Sequence, residues 1–110
     1  MQASASMIEE LTAAVVHEVN PEYIYLFGSQ VTGNTDTDSD IDLLVIEDSG
    51  FDKHKTRWQE MQRIRKALRK FRIAKDILLY SRSEFDALKN SSQHVVSHAV
   101  QKGRLLYARH

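Results

Sequence analysis

Tyr23-Ile24-Tyr25-Leu26-Phe27-Gly28-Ser29, ten further residues, and then Asp40-Ile41-Asp42-Leu43-Leu44-Val45-Ile46 is the stretch that decides the fold. The first run is short and rich in aromatic and apolar residues, which predicts a strand. Gly28 and Ser29 end it in a turn whose backbone N–H groups and single hydroxyl suit phosphate oxygens. The second run predicts another strand, over 41–46, with Asp40 and Asp42 two residues apart. Such residues share one face of a strand with Cα atoms about 6.5 Å apart, a gap that one or two divalent cations can bridge. Two like charges beside an apolar strand are costly without a counter-charge between them. The pattern therefore predicts a metal next to a phosphate site.

Upstream, Ser6 and Glu9 have the form of a capping box, and Ile8, Leu11, Val15 and Val19 recur at helical spacing until Asn20-Pro21 interrupts them. This predicts an amphipathic helix lying on the sheet. Residues 30–39 have loop chemistry, with Gly33 and Asn34 giving the backbone freedom to turn back. Asp36, Asp38, Asp40 and Glu47 also match four positions of a calcium-binding loop. That reading fails on Ile41, which stands where the loop needs glycine, and on the strand-like residues that follow.

Downstream, Glu47 to Gly50 turns the chain and Ser49 or Asp52 is a candidate helix cap. Trp58, Met61, Ile64, Leu68 and Phe71 mark the expected buried face of a long helix whose other faces are crowded with Lys and Arg. Such a basic surface is most often simply a solvated face; of the functional readings, nucleic-acid contact is the weaker, because no aromatics interleave the basic residues, and a protein partner the stronger. A third strand is expected over 73–80. It carries Asp76, whose structural reading is an ion pair with Lys75 or Arg72 and whose functional reading is a third site carboxylate.

Ser81 and Glu84 form a second capping box, opening a short helix through Lys89, and a further helix runs from beyond Ser92 to Lys102 and stops at Gly103. His94 and His98 have the i, i+4 spacing of a zinc helix but lack an adjacent Glu, a third ligand or any cysteine, so they read as surface or interface residues. Arg104 to Tyr107 is a final short strand. The fold class is α/β (α+β): a small mixed β-sheet of three to four strands flanked by helices, in a single domain over residues 1–110.

Composition sets the outer limits. The chain of 110 residues is 42% hydrophobic and 27% charged and has no cysteine, which excludes disulfides and thiolate metal sites. No apolar run approaches a membrane span and no signal-like N-terminus is present, so a cytoplasmic protein is expected. The net charge of zero conceals a division. Residues 1–52 hold eleven Asp and Glu and no Lys or Arg, whereas residues 53–110 hold all fifteen Lys and Arg and four acids. Either the halves pack together and neutralise each other, or an acidic lip faces a basic surface that attracts a polyanion or an acidic partner.

Gly28-Ser29, ten residues and Asp40-Ile41-Asp42, with Asp76 in a later strand and a closing Gly103-Arg104-Leu105-Leu106-Tyr107, resembles the signature of the DNA polymerase β-like nucleotidyltransferase superfamily. Within it the chain is most similar to the minimal nucleotidyltransferases (MNT) that act as antitoxins of HEPN-domain toxins. The resemblance implies Asp40, Asp42 and Asp76 as metal-holding and catalytic carboxylates and Gly28 and Ser29 as nucleotide-binding residues. It implies two Mg²⁺ ions, with Mn²⁺ as a substitute, and ATP as substrate. The AMP unit would pass to a hydroxyl, a tyrosine, of a HEPN ribonuclease toxin with which the chain forms a hetero-oligomer. The chain departs from the family at Gln30, Val31 and Thr32, where an Arg often follows the Gly-Ser pair. The competing class is a non-enzymatic antitoxin that blocks its partner by binding alone.

Overall fold

The computed structural model describes residues 5–28, 41–48, 50–92 and 94–109. Four strands form one sheet: β1 (Tyr23–Phe27), β2 (Ile41–Glu47), β3 (Lys75–Ser81) and β4 (Arg104–Ala108), in spatial order β3-β2-β1-β4. β1 pairs antiparallel with β2 and with β4, the latter with an irregularity between Ile24 and Tyr25. β2 and β3 are parallel. That connection requires a crossover, which the helix α2 (Arg57–Leu68) supplies.

Period-two alternation sorts the sheet into two cores. Ile24, Leu26, Ile41, Leu43, Val45, Ile77 and Leu79 face α1 (Ala5–Val19) and α2, where Leu11, Val15, Ile64 and Leu68 meet them. Leu44 and Ile46 face the other way, against Phe85 of α3 (Arg82–Leu88) and Val96 and Ala99 of α4 (Val95–Lys102). With both faces of β2 covered, its near-continuous apolar run is what a central strand requires.

Several expected boundaries move, each for a local reason. Ser6 lies inside α1 and does not cap it. Asn20 ends that helix at φ 47°, a left-handed conformation that Asn tolerates, with its N–H donating to the Val16 carbonyl. Asp52 accepts from the His54 and Lys55 N–H groups in a turn. The cap of α2 is Thr56, in a capping box with Gln59. Trp58 is 70% exposed and Phe71 lies beyond the helix end, while Glu60 takes a buried place. β3 begins at Lys75, two residues later than the apolar pattern suggests. The Ser81–Glu84 capping box stands as expected. His94 is the N-cap of α4, its Nδ1 accepting from the Val96 N–H and its carbonyl from the His98 N–H, so one ring nitrogen of the zinc-spaced pair is engaged in capping.

Gly103 ends α4 at φ −85°, outside the left-handed region. Space is the reason for glycine here: a Cβ would lie 2.3 Å from the Ala99 carbonyl oxygen and 2.6 Å from that of Leu26. The helix thus turns into β4 in direct backbone contact with β1.

Candidate active site

β1 ends where β2 and β3 begin, so Phe27, Gly28, Asp42 and Asp76 meet at one end of the sheet. Asp42 is the register partner of Phe27 on one side and of Asp76 on the other. Partners in register point to the same face, and neighbouring strands lie about 4.8 Å apart. The two carboxylates therefore stand side by side on the face that carries Leu44, Ile46, α3 and α4. Asp42 is half-buried and Asp76 is exposed.

Gly28 supports this arrangement directly. Its φ of 84° belongs to the left-handed region, and a Cβ there would fall 2.2 Å from Oδ2 of Asp42. The Asp42 carboxylate occupies the space a side chain at position 28 would need. Glycine at the end of β1 is thus required twice, by the backbone and by the carboxylate packed against it.

The structural reading of Asp76 does not hold among the described residues. Lys75 donates from Nζ to the carbonyl oxygens of Phe71 (2.6 Å) and Ile73 (2.9 Å), and burial pushes its pKa down. Neither Lys75 nor Arg72 forms an ion pair with Asp76 there. Its carboxylate faces solvent beside that of Asp42, a donor pair of hard oxygens suited to a divalent cation. Ser29 and Asp40, along with Gly33, Asn34, Asp36 and Asp38 of the loop, lie outside the described residues. Among the described residues no group of three or more His, Cys, Asp or Glu gathers as a metal site.

The charge division is partly resolved by packing. Four ion pairs join the acidic and basic halves: Lys55–Glu47, Arg63–Glu18, Arg82–Glu22 and Arg109–Asp48. One of them belongs to a buried cluster that sequence reasoning missed. Glu47, at the far end of β2 and 1% exposed, meets Lys55 at 3.1 Å and hydrogen-bonds to Glu60 of α2, which in turn accepts from Arg63 at 3.2 Å. Burial first, and the hydrogen bond with Glu60 second, push the Glu47 carboxyl up to about 7. Oε2 of Glu47 is buried with no hydrogen-bond donor, and a proton shared with the Glu60 carboxyl would satisfy it. Five residue steps along the strand separate Glu47 from Asp42, roughly 16 Å, and the cluster braces α2 against β2 away from the site. Glu60 occupies a helical position in phase with Ile64 and Leu68, but nothing in its residue type signals burial.

A family model of polymerase β nucleotidyltransferases matches residues 9–110. No curated protein sequence matches. Among solved structures, a toxin–antitoxin complex with AMP-PNP is similar at 25% identity and a TM-score of 0.55, over 92% of this chain and 73% of that one. A protein of Sulfolobus solfataricus assigned as a nucleotidyltransferase is similar at 19% identity and a TM-score of 0.57, over 98% of this chain and 91% of that one. A mutant of the toxin–antitoxin pair MntA–HpeT is similar at 24% identity and a TM-score of 0.54, over 92% and 73% of the two chains.

Proposed function

The chain belongs to the polymerase β nucleotidyltransferase family, and from that premise we propose that it is an antitoxin that transfers AMP from ATP to a hydroxyl, a tyrosine, of a HEPN-family toxin. The observation that carries the reading is the register pairing of Asp42 with Asp76 at the open end of the sheet, with Gly28 packed against Asp42. The toxin–antitoxin structure at 25% identity contains AMP-PNP, an ATP analogue, which supports both the nucleotide and the protein partner.

In this reading Asp40, Asp42 and Asp76 hold Mg²⁺, for which Mn²⁺ can substitute, and the hard oxygens of Asp42 and Asp76 fit such a cation. The bound metal supplies charge neutralisation on the phosphates and lowers the pKa of the attacking hydroxyl. The protein's own part is positional. Gly28 leaves room for the Asp42 carboxylate, and the Gly28 backbone with the Ser29 hydroxyl would hold the terminal phosphates, which leave as pyrophosphate when the acceptor oxygen bonds to the α-phosphorus. The parallel ladder sets Asp76 on the same face as Asp42 at the strand spacing. The acceptor hydroxyl comes from the toxin, in a hetero-oligomer of the two chains.

The test is a labelling assay. The protein, recovered with whatever co-purifies, is incubated with Mg²⁺ and α-labelled ATP beside Asp42→Asn. Label on a co-purifying protein with wild type alone supports protein adenylylation. A partner that is recovered, never labelled and inhibited equally by both forms replaces this reading with inhibition by binding alone.

A further inference from the structure

Six of the fifteen Lys and Arg have an acidic partner among the described residues. Lys55, Arg57, Arg63, Arg82, Lys89 and Arg109 all stand in ion pairs. Of the other nine, Arg65, Lys66, Arg69, Lys70 and Arg72 cluster at and just beyond the C-terminal end of α2. Arg65, Lys66 and Arg69 are exposed and form no ion pair among the described residues. In line with them is the chain's single tryptophan, Trp58, 70% exposed. At about 100° per residue, Trp58, Arg65 and Arg69 fall within roughly 40° of one another, in a stripe about 16 Å long.

The stripe has a direction. Since α2 connects two parallel strands, it runs back along the sheet. At its N-terminal end Arg57 donates to the Leu79 carbonyl, late in β3. At its C-terminal end Arg65, Leu68 and Arg69 line a groove of about 360 Å³ with Lys75 and Ile77, the residues on either side of Asp76. β3 is the edge strand here. The stripe thus runs from an exposed apolar anchor to the end of the sheet where β3 begins, on the face opposite the one that carries Asp42 and Asp76.

We infer that this stripe docks an acidic stretch of the acceptor protein, with Trp58 as the anchor at one end and Arg65 and Arg69 holding carboxylates at the β3 edge, around which the acceptor reaches Asp76 on the other face. The inference rests on the acceptor being a protein, as proposed above, and adds the face by which it binds and the charge it carries. Tryptophan and arginine are the residues that most often dominate protein interfaces. Five cations between Arg65 and Arg72 select an acidic counterpart. A nucleic acid fits less well. One tryptophan is no platform for successive bases, and a continuous polyanion reaching the site would meet Asp42 and Asp76, whereas a protein can place acids only where the cations stand.

Trp58 is its own reporter. The full chain is titrated, reading Trp58 emission, with a synthetic peptide of aspartates and glutamates around one tyrosine. The same peptide with asparagine and glutamine in place of the acids, and an oligouridine, serve as comparisons. The expected result is a saturable change with the acidic peptide alone, weakened by added salt and at least tenfold weaker in Arg65→Glu/Arg69→Glu. Arg65→Gln/Arg69→Gln gives a smaller loss in the same direction. Asp42→Asn keeps full binding, because the stripe does not depend on catalysis. No saturable change, or equal binding by the charge-reversed chain, overturns the inference. Tighter binding of oligouridine overturns it in favour of nucleic acid. Failure of docking leaves the labelling result with wild type and Asp42→Asn untouched, and failure of labelling leaves peptide binding to be read by itself.

Discussion

Asp42 of β2 and Asp76 of β3 are register partners in the only parallel strand pair among the described residues, so two carboxylates share one face at the strand spacing. Nothing about stability asks for that. At roughly 5 Å in watery surroundings the repulsion is of the order of 1 kcal/mol. Asp76→Asn is therefore expected to keep or raise the thermal midpoint while lowering AMP transfer by about two orders of magnitude or more. Thermal unfolding and the labelling assay on one preparation check both halves. A drop in midpoint that accounts for the lost activity would mean Asp76 is structural.

Gly28 carries a sharper demand than Asp76, because its missing Cβ is the space that Oδ2 of Asp42 fills. Gly28→Ala must both hold alanine at φ 84° and displace the carboxylate, at a cost of about 1–3 kcal/mol. Gly50 offers the control, since nothing lies within 4 Å of a Cβ there. Gly50→Ala is expected to change the midpoint and transfer little, and Gly28→Ala to reduce both. Equal effects of the two substitutions, measured by denaturant unfolding and labelling, would show that Asp42 does not depend on that space.

Which parts of this design were legible beforehand follows from where the deciding forces act. The strands and the Ser81–Glu84 capping box are local or periodic properties, and the sequence carries them openly; the register that sets Asp76 beside Asp42 is a tertiary relation, and only the family resemblance points to Asp76. The burial of Glu60 and the exposure of Trp58 depend on what faces α2. Glu60 is drawn in by Glu47 and Arg63, contacts 13 and 3 residues away, and the helix rotates with it so that Trp58 turns outward. Thr56 and Gln59 did form a readable capping box, overshadowed by Ser49 and Asp52 upstream. Gly103 reads as a helix stop, but its close approach to Leu26 is a tertiary fact with no local trace. Ser29 and Asp40, the remaining expected site residues, lie outside the described residues.

The Glu47–Glu60 pair predicts a pH dependence of stability with a definite sign. The Glu47 carboxyl titrates near 7 in the folded chain, against 4.5 when unfolded. The folded state holds the proton more tightly, so its contribution is fully present below about pH 4.5 and is lost as pH rises through 7. At about 1.4 kcal/mol per pH unit the loss reaches at most roughly 3 kcal/mol. Glu47→Gln offers Glu60 a permanent donor and should remove this decline. Urea unfolding of both proteins between pH 5 and 8 checks it, and an equal decline in the variant would assign the titration elsewhere.

The rotation of α2 can be tested by two substitutions on opposite faces of the helix. Ile64 is fully buried against the sheet, and Trp58, the largest side chain in the molecule, is mostly in solvent. If burial were read from hydrophobicity alone, Trp58→Ala would be the more damaging change. The packing predicts the reverse. Trp58→Ala is expected to move stability by no more than about 0.5 kcal/mol, and Ile64→Ala to cost about 2–5 kcal/mol through the lost contacts and the cavity left between α2 and β2. Chemical denaturation of the two variants decides between these orders. A loss of stability in Trp58→Ala approaching that of Ile64→Ala would place the tryptophan back in the core and remove the exposed stripe of which it is the anchor.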